Sequence, residues 1–131
     1  MEDNLKLEII SPERIFFSDY VKMVTIPSYE GDMSILKYHI SIITFLRPGI
    51  IKVQKNDESF EIFFVQEGTA EYFNDSLVVL SASAINVKDL SQEFVDNLTK
   101  DSQEKLTDKN ITDHDRYVLN HTLDVLKEIR V

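Results

Sequence analysis

The chain has 131 residues, no cysteine, and 14 basic against 23 acidic residues, for a net charge of −9. The length is that of one domain with at most a small appendage. The charge excludes a nucleic-acid binder and docking on anionic lipid through a polybasic patch, and the missing cysteines exclude disulfides, thiolate nucleophiles and cysteine-based zinc sites. The opening Met1-Glu2-Asp3-Asn4 has the wrong charge for a signal-peptide n-region. No apolar run approaches the roughly 20 residues that span a bilayer. The expectation is a soluble cytoplasmic protein with no direct lipid insertion.

Composition changes after Lys88. All three glycines, all three prolines and eleven of the thirteen aromatics precede it, and only Phe94 and Tyr117 follow. Turn formers and aromatics in one part and neither in the other predict a β domain over 1–88 followed by helices over 89–131. In the first part Leu5, Leu7 and Ile9 alternate as one apolar face. Met23 to Ile26 ends at Pro27, which cannot donate to a ladder. Ser41 to Leu46 is an unbroken β-branched and aromatic run, read as buried on both faces. Pro48-Gly49 turns the chain into Ile50 to Val53. Phe60 to Phe64 reads as core, and Leu77 to Leu80 as a further strand. Asn56-Asp57 and Asn74-Asp75 suit hairpin loops, because Asn and Asp tolerate positive φ. Short strands at even spacing indicate a β-sandwich or barrel with an interior including Leu7, Ile9, Ile42, Phe45, Ile62, Phe64 and Val79.

Beyond Lys88 the apolar period becomes helical. Asp89 and Ser91 are N-cap candidates for a sparsely apolar helix carrying Phe94, Val95, Leu98 and Leu106. Thr107 to Asn110 is a polar break. Thr112 caps a second helix, whose Asp113 and Asp115 suit the positive end of the helix dipole. Val118, Leu119, Leu123, Val125, Leu126 and Ile129 then recur at three- and four-residue spacing. The short break predicts an antiparallel helical hairpin.

Little in the chain points to chemistry. His39 has no nucleophile or orienting carboxylate nearby in sequence, so a structural histidine bonded to backbone is expected. His114 and His121 lie seven residues apart, roughly 10 Å along a helix, too far to share one zinc ion. Glu30-Gly31-Asp32 lacks the ligand ladder of a calcium loop and reads as a turn on a positive-φ glycine, with an acidic tip suited to docking. No catalytic, metal or cofactor residue is assigned. A free-standing β-sandwich binding module is the alternative, though its usual tryptophan platform is missing; a small hydrolase would need a nucleophile–base pair.

The order of the punctuation goes further. Leu5-Lys6-Leu7-Glu8-Ile9-Ile10-Ser11-Pro12-Glu13 resembles the opening of the epsilon subunit of F-type ATP synthases. Val24-Thr25-Ile26-Pro27, Glu30-Gly31-Asp32, His39, Leu46-Arg47-Pro48-Gly49, Gly68 and Val78-Val79-Leu80 follow in that family's order. The resemblance implies a β-sandwich of about ten strands and a two-helix tail. It also implies a non-catalytic central-stalk rotor subunit of a proton-translocating ATP synthase, peripheral to the cytoplasmic face of a bacterial inner membrane. It would link the gamma subunit to the c-ring, with the tail able to reach alpha and beta subunits and restrain ATP hydrolysis. By the same resemblance Tyr29, Glu30, Gly31, Asp32 and Met33 would meet the c-ring, and Ser11, Ile43 and Ile50 the gamma subunit. Three stretches depart from the family: Lys37-Tyr38-His39 replaces Pro-Gly-His, Glu67-Gly68 replaces a glycine pair, and Leu90-Ser91-Gln92-Glu93-Phe94-Val95 keeps only Leu90 of the ATP motif found in some members. No nucleotide-binding residue is therefore expected.

Overall fold

The computed structural model describes residues 3–129. Ten strands are followed by two helices: β1 (Leu5–Ile10), β2 (Ile15–Val21), β3 (Met23–Ser28), β4 (Gly31–Leu36), β5 (Ile42–Leu46), β6 (Gly49–Gln54), β7 (Phe60–Val65), β8 (Gly68–Phe73), β9 (Ser76–Leu80), β10 (Ile85–Asn86), α1 (Gln92–Lys105) and α2 (Asp113–Glu128). The strand order is β10-β7-β6-β3-β5-β8-β9-β1-β2, with β4 on the other edge of β3. This makes two layers, β10-β7-β6-β3-β4 and β5-β8-β9-β1-β2. They join where β3 leaves β6 after Thr25 and meets β5 at the single pair Ser28–Leu46.

The core lies between the layers. Leu5, Leu7 and Ile9 of β1 are fully buried, as their alternation predicts, and meet Val24, Ile26, Ile51, Val53, Tyr72, Leu77 and Val79 there. The Phe17 and Phe63 rings meet edge-on at 5.8 Å and close the side between β2 and β7. Asn74 and Asp75 both have positive φ, 53° and 62°, the geometry of a two-residue hairpin turn. Asn56 instead accepts the Glu58 N–H in a longer loop.

Two core expectations are corrected. The run over β5 is buried on one face only: Ile43 is 72% and Phe45 66% exposed. The Phe60–Phe64 cluster is also split by strand pleat. Phe63 faces the core, Phe60 and Ile62 are exposed, and Phe64, though 1% exposed, points away from the sandwich interior toward the helices. Ile42 is half-buried and packs against the core from its rim.

Ser91 caps α1 by accepting the Phe94 N–H at 3.0 Å, and Thr112 caps α2 by accepting the Asp115 N–H at 3.0 Å. Asp89 lies in a 3-10 turn (Val87–Asp89) rather than at the α1 cap. The helices form a hairpin in which Ser102 and Thr122 are buried, small enough for close backbone approach. Its apolar face meets β6 and β7 through a second cluster: Phe64, Leu90, Val95, Val125 and Leu126, flanked by Ile50, Ile85, Leu98 and Ile129.

Candidate functional site

The β3–β4 hairpin turns on two residues, Tyr29 and Glu30, and Gly31 at φ 121° supplies the left-handed backbone that returns the chain. Its base is pinned. The Tyr29 N–H donates to the Phe45 carbonyl at 3.2 Å, and buried Ser28 bonds Thr44 Oγ1 at 3.0 Å while accepting the Glu30 N–H at 3.2 Å. Asp32 is paired with Arg47 at 3.0 Å. The five residues of the hairpin do not share one surface. Glu30 and Asp32 are exposed, Met33 turns inward against the core, and Tyr29 stacks on Tyr117 of α2, centroids 5.3 Å apart. Burial raises the Tyr29 hydroxyl above its ordinary pKa, with Glu67 and Tyr117 adding to the effect.

The second surface is apolar and open. Phe45, Thr69, Leu80, Ile10 and Ile15 stand opposite one another across β5, β8, β9, β1 and β2, so they share the outer face of that layer. Phe45, Leu80 and Ile15 in this row are exposed, with Ile43 beside them. Contiguous exposed apolar side chains of this kind mark interaction sites on soluble domains. Ser11 ends the row at the β1–β2 turn, where its Oγ accepts the N–H groups of Glu13 and Arg14. The family resemblance singled out Ile43 and Ser11, whereas Phe45 was expected in the core and Leu80 and Ile15 were not marked as a surface. Nothing in an all-apolar run marks which face looks outward.

Ile50 lies elsewhere. It is on the outer face of the other layer, opposite Phe64, and is half-covered by the tail cluster. Ser11, Ile43 and Ile50 thus do not form one patch while the hairpin is docked. The tail also makes a polar contact with the sandwich, where His114 Nε2 lies 3.3 Å from Glu67 Oε2. Within α2 the His121 ring lies tilted against Tyr117, centroids 4.2 Å apart.

His39 Nδ1 lies 2.6 Å from the Ile40 carbonyl, which places the proton on Nδ1, and its ring meets Tyr72 edge-on. That is the structural role expected of it. The turn before His39 is made without glycine by Tyr38 at φ 70°, whose N–H donates to Asp75 Oδ1 at 3.2 Å. Among the described residues no three His, Asp or Glu side chains converge on a point able to hold a metal ion. At the head of α1, Leu90 is buried in the tail cluster, and α1 itself carries no arginine.

Residues 4–87 match the family profile "ATP synthase, Delta/Epsilon chain, beta-sandwich domain". Over 131 residues the chain is 40% identical to an ATP synthase epsilon chain of Pelagibacter ubique, covering 98% of this chain and 99% of that one. The chain belongs to the ATP synthase epsilon-chain family. A further epsilon chain, from Parvibaculum lavamentivorans, is 37% identical over 99% of this chain and 98% of its own. The epsilon-chain fold is also seen in a chain of the Euglena gracilis mitochondrial ATP synthase, with a TM-score of 0.78 at 17% identity, covering 95% of this chain and 80% of that one. A chain from the Tetrahymena thermophila mitochondrial ATP synthase central stalk and c-ring gives a TM-score of 0.63 at 11% identity, covering 94% and 93%. The sandwich that the family profile describes is followed here by a pair of helices, and the full-length match to epsilon chains disfavours a free-standing binding module.

Proposed function

We propose that this epsilon chain is a non-catalytic central-stalk rotor subunit of a proton-translocating ATP synthase, joining gamma to the c-ring. The observation that carries the reading is the open apolar row Phe45–Leu80–Ile15 with Ile43, on a domain whose own core is complete without it. A monomer gains nothing from such a face, whereas a subunit buried against a larger partner does. Gamma would dock there, with Ser11 at the rim; Ile50 would join the contact only with the tail lifted. The hairpin would meet the c-ring through the exposed carboxylates of Glu30 and Asp32, with Gly31 shaping the turn and Tyr29 and Met33 holding it from behind.

Torque would pass through these contacts without covalent chemistry, which suits a close-packed core that deforms little under load. Among the described residues no helix is long and apolar enough to cross a membrane. In this reading the subunit sits on the cytoplasmic face of the bacterial inner membrane, held by its partners. Residues 1–88 form the rotor unit in this reading and 89–131 the tail, which would reach alpha and beta subunits when extended. The tail would bind no nucleotide, for want of the arginine that meets phosphate.

Cysteine cross-linking tests the gamma face, and the native chain has no cysteine to interfere. In the assembled stalk Ile43→Cys and Ser11→Cys should cross-link to gamma, and Lys52→Cys on the opposite layer should not. The reverse pattern would overturn the assignment. For the hairpin, Glu30→Lys with Asp32→Lys should uncouple ATP hydrolysis from proton pumping; unchanged coupling would remove the hairpin from the ring contact.

A further inference from the structure

The apolar outer face of β5 and β8 does not end at Ile43. Alternate side chains of a strand share a face, so Phe73 lies with Thr69 and Glu71 on the outer side of β8, and Glu71 stands opposite Ile43. Phe73 is 66% exposed, at the β8–β9 turn. The β4–β5 connection runs beside that turn. It is tied there by the Tyr38 N–H bond to Asp75 Oδ1 at 3.2 Å and by the His39 ring against Tyr72. On this connection Tyr38 and Ile40 are 75% and 79% exposed, the two most open large apolar side chains among the described residues. Tyr38, Ile40 and Phe73 therefore carry the apolar face past Ile43 and round the end of the sandwich.

Tyr38 is costly where it stands. At φ 70° it occupies left-handed backbone, which disfavours any side chain with a Cβ and does not disfavour glycine. Its ring is not what fixes the turn. The His39 N–H donates to the Leu36 carbonyl at 3.2 Å, the Tyr38 N–H to Asp75, and His39 Nδ1 to the Ile40 carbonyl at 2.6 Å. The ring itself meets the Lys37 ammonium at 5.2 Å and lies mostly in solvent. A large apolar group kept on strained backbone, beyond the needs of the fold, points to use by a partner.

We propose that Tyr38, flanked by Ile40 and Phe73, is an anchor of the contact with gamma, at the end of that contact away from Ser11. This rests on the reading that gamma docks on the β5 face, and it adds the residues that complete the docking surface. Area supports one continuous occupant. At roughly 200 Å² for a fully open large apolar side chain, the exposed parts of Ile43, Phe45, Leu80 and Ile15 come to about 500 Å². A standard stable interface takes about 800 Å² from each partner. Tyr38, Ile40 and Phe73 add about 440 Å², which carries the face past that size. The c-ring does not fit as the occupant. β4 carries the chain roughly 17 Å from Gly31 to Leu36, so Tyr38 lies at the other end of the strand from the Glu30 tip. The surface expected on gamma is an apolar recess that takes the tyrosine ring, the side chain type most often found as such an anchor along with tryptophan and arginine.

The test binds the full chain, labelled at its amino terminus, to ATP synthase heads that hold gamma but lack this subunit. Tyr38→Gly suits the left-handed backbone, so it removes the ring and keeps the turn. It should weaken binding about thirtyfold, the loss expected of an anchor, while the urea midpoint stays at or above that of the parent. Tyr38→Phe keeps the ring and should bind within about threefold of the parent. Phe45→Ser reads the β5 face itself and should also weaken binding. Weak binding of Phe45→Ser with parent-like binding of Tyr38→Gly overturns the anchor and leaves the gamma face standing; parent-like binding of both overturns the face and the anchor with it. In the assembled stalk, Tyr38→Cys carrying a photoreactive label should attach to gamma. Attachment to a c subunit, or to a second copy of this chain, overturns the choice of partner.

Discussion

Replacing Phe64 by Ala separates the stability of the tail contact from that of the sandwich. Phe64 is 1% exposed and is the one fully buried side chain that the sandwich gives to the tail cluster; the other four buried members come from the tail. Removing a buried phenyl ring forfeits its transfer free energy and leaves a cavity, together about 3–5 kcal/mol. Because the ring points away from the interlayer core, that loss falls on docking. At about 1.4 kcal/mol per tenfold, the docked-to-released ratio should drop by two to three and a half orders of magnitude. Amide hydrogen exchange in α2 should accelerate accordingly, while the urea midpoint of the sandwich, followed by amides of β1 and β9, stays close to that of the parent. Phe63→Ala is the contrast. It differs by one position but its ring packs inside the sandwich against Phe17, so it should lower the sandwich midpoint directly. Equal losses of sandwich stability in the two variants, or unchanged exchange in α2 of Phe64→Ala, would refute the division of the two clusters.

Three other outcomes follow from local geometry. Tyr38→Gly should raise stability by about 1 kcal/mol in urea unfolding, because relief of a left-handed φ of 70° outweighs the added freedom of glycine in the unfolded chain. A lower midpoint would show that the Tyr38 ring holds the turn. Gly68→Ala should destabilise by about 2 kcal/mol or more, since the added Cβ would stand 2.4 Å from the Leu80 carbonyl oxygen, a backbone atom that cannot step aside; a neutral result would mean that β8 and β9 can part there. Burial raises the Tyr72 hydroxyl above its ordinary pKa, helped by its bond to Asp75. Its folded-state proton is then lost later than its unfolded-state one, so stability is complete below about pH 10 and falls as pH climbs past it. Tyr72→Phe should make that alkaline fall shallower, and an unaltered slope would assign the fall to other groups.

What the sequence disclosed and what it hid have physical reasons. Leu5, Leu7 and Ile9 could be placed inside because charged Lys6 and Glu8 stand between them, and the helix starts at Ser91 and Thr112 could be found because caps are local chemistry. β2 went unread: Ile15-Phe16-Phe17 runs into Ser18-Asp19-Tyr20 without alternation, as an edge strand open to solvent along most of its length allows. The runs over β5 and β7 were readable as strands but not as faces. With apolar residues at both parities, only the neighbours decide which side is the core, and the other side is covered by a tail at Phe64 and by nothing at Phe45. The candidate gamma face was hidden for the same reason, since an apolar side chain reads alike whether it awaits its own core or another subunit. The resemblance to epsilon chains supplied Ser11 and Ile43, but could not say that the tail would stand over Ile50.

The passage of β3 from one layer to the other has a mechanical consequence. In a sandwich of two separate sheets, a sideways force on one sheet reaches the other only through side-chain contact, which slips. Here the ladder runs unbroken from β2 to β10 through the Ser28–Leu46 pair, backed by the Tyr29 N–H to Phe45 bond and the Arg47 N–H to Pro27 bond at 2.9 Å. Strain applied at the Ile43–Phe45 face therefore has a backbone route to the opposite face, concentrated at one corner of a few residues. That corner is the fuse of the domain: stretched between its two faces, the molecule should yield first at Ser28 and Leu46, with each layer still intact.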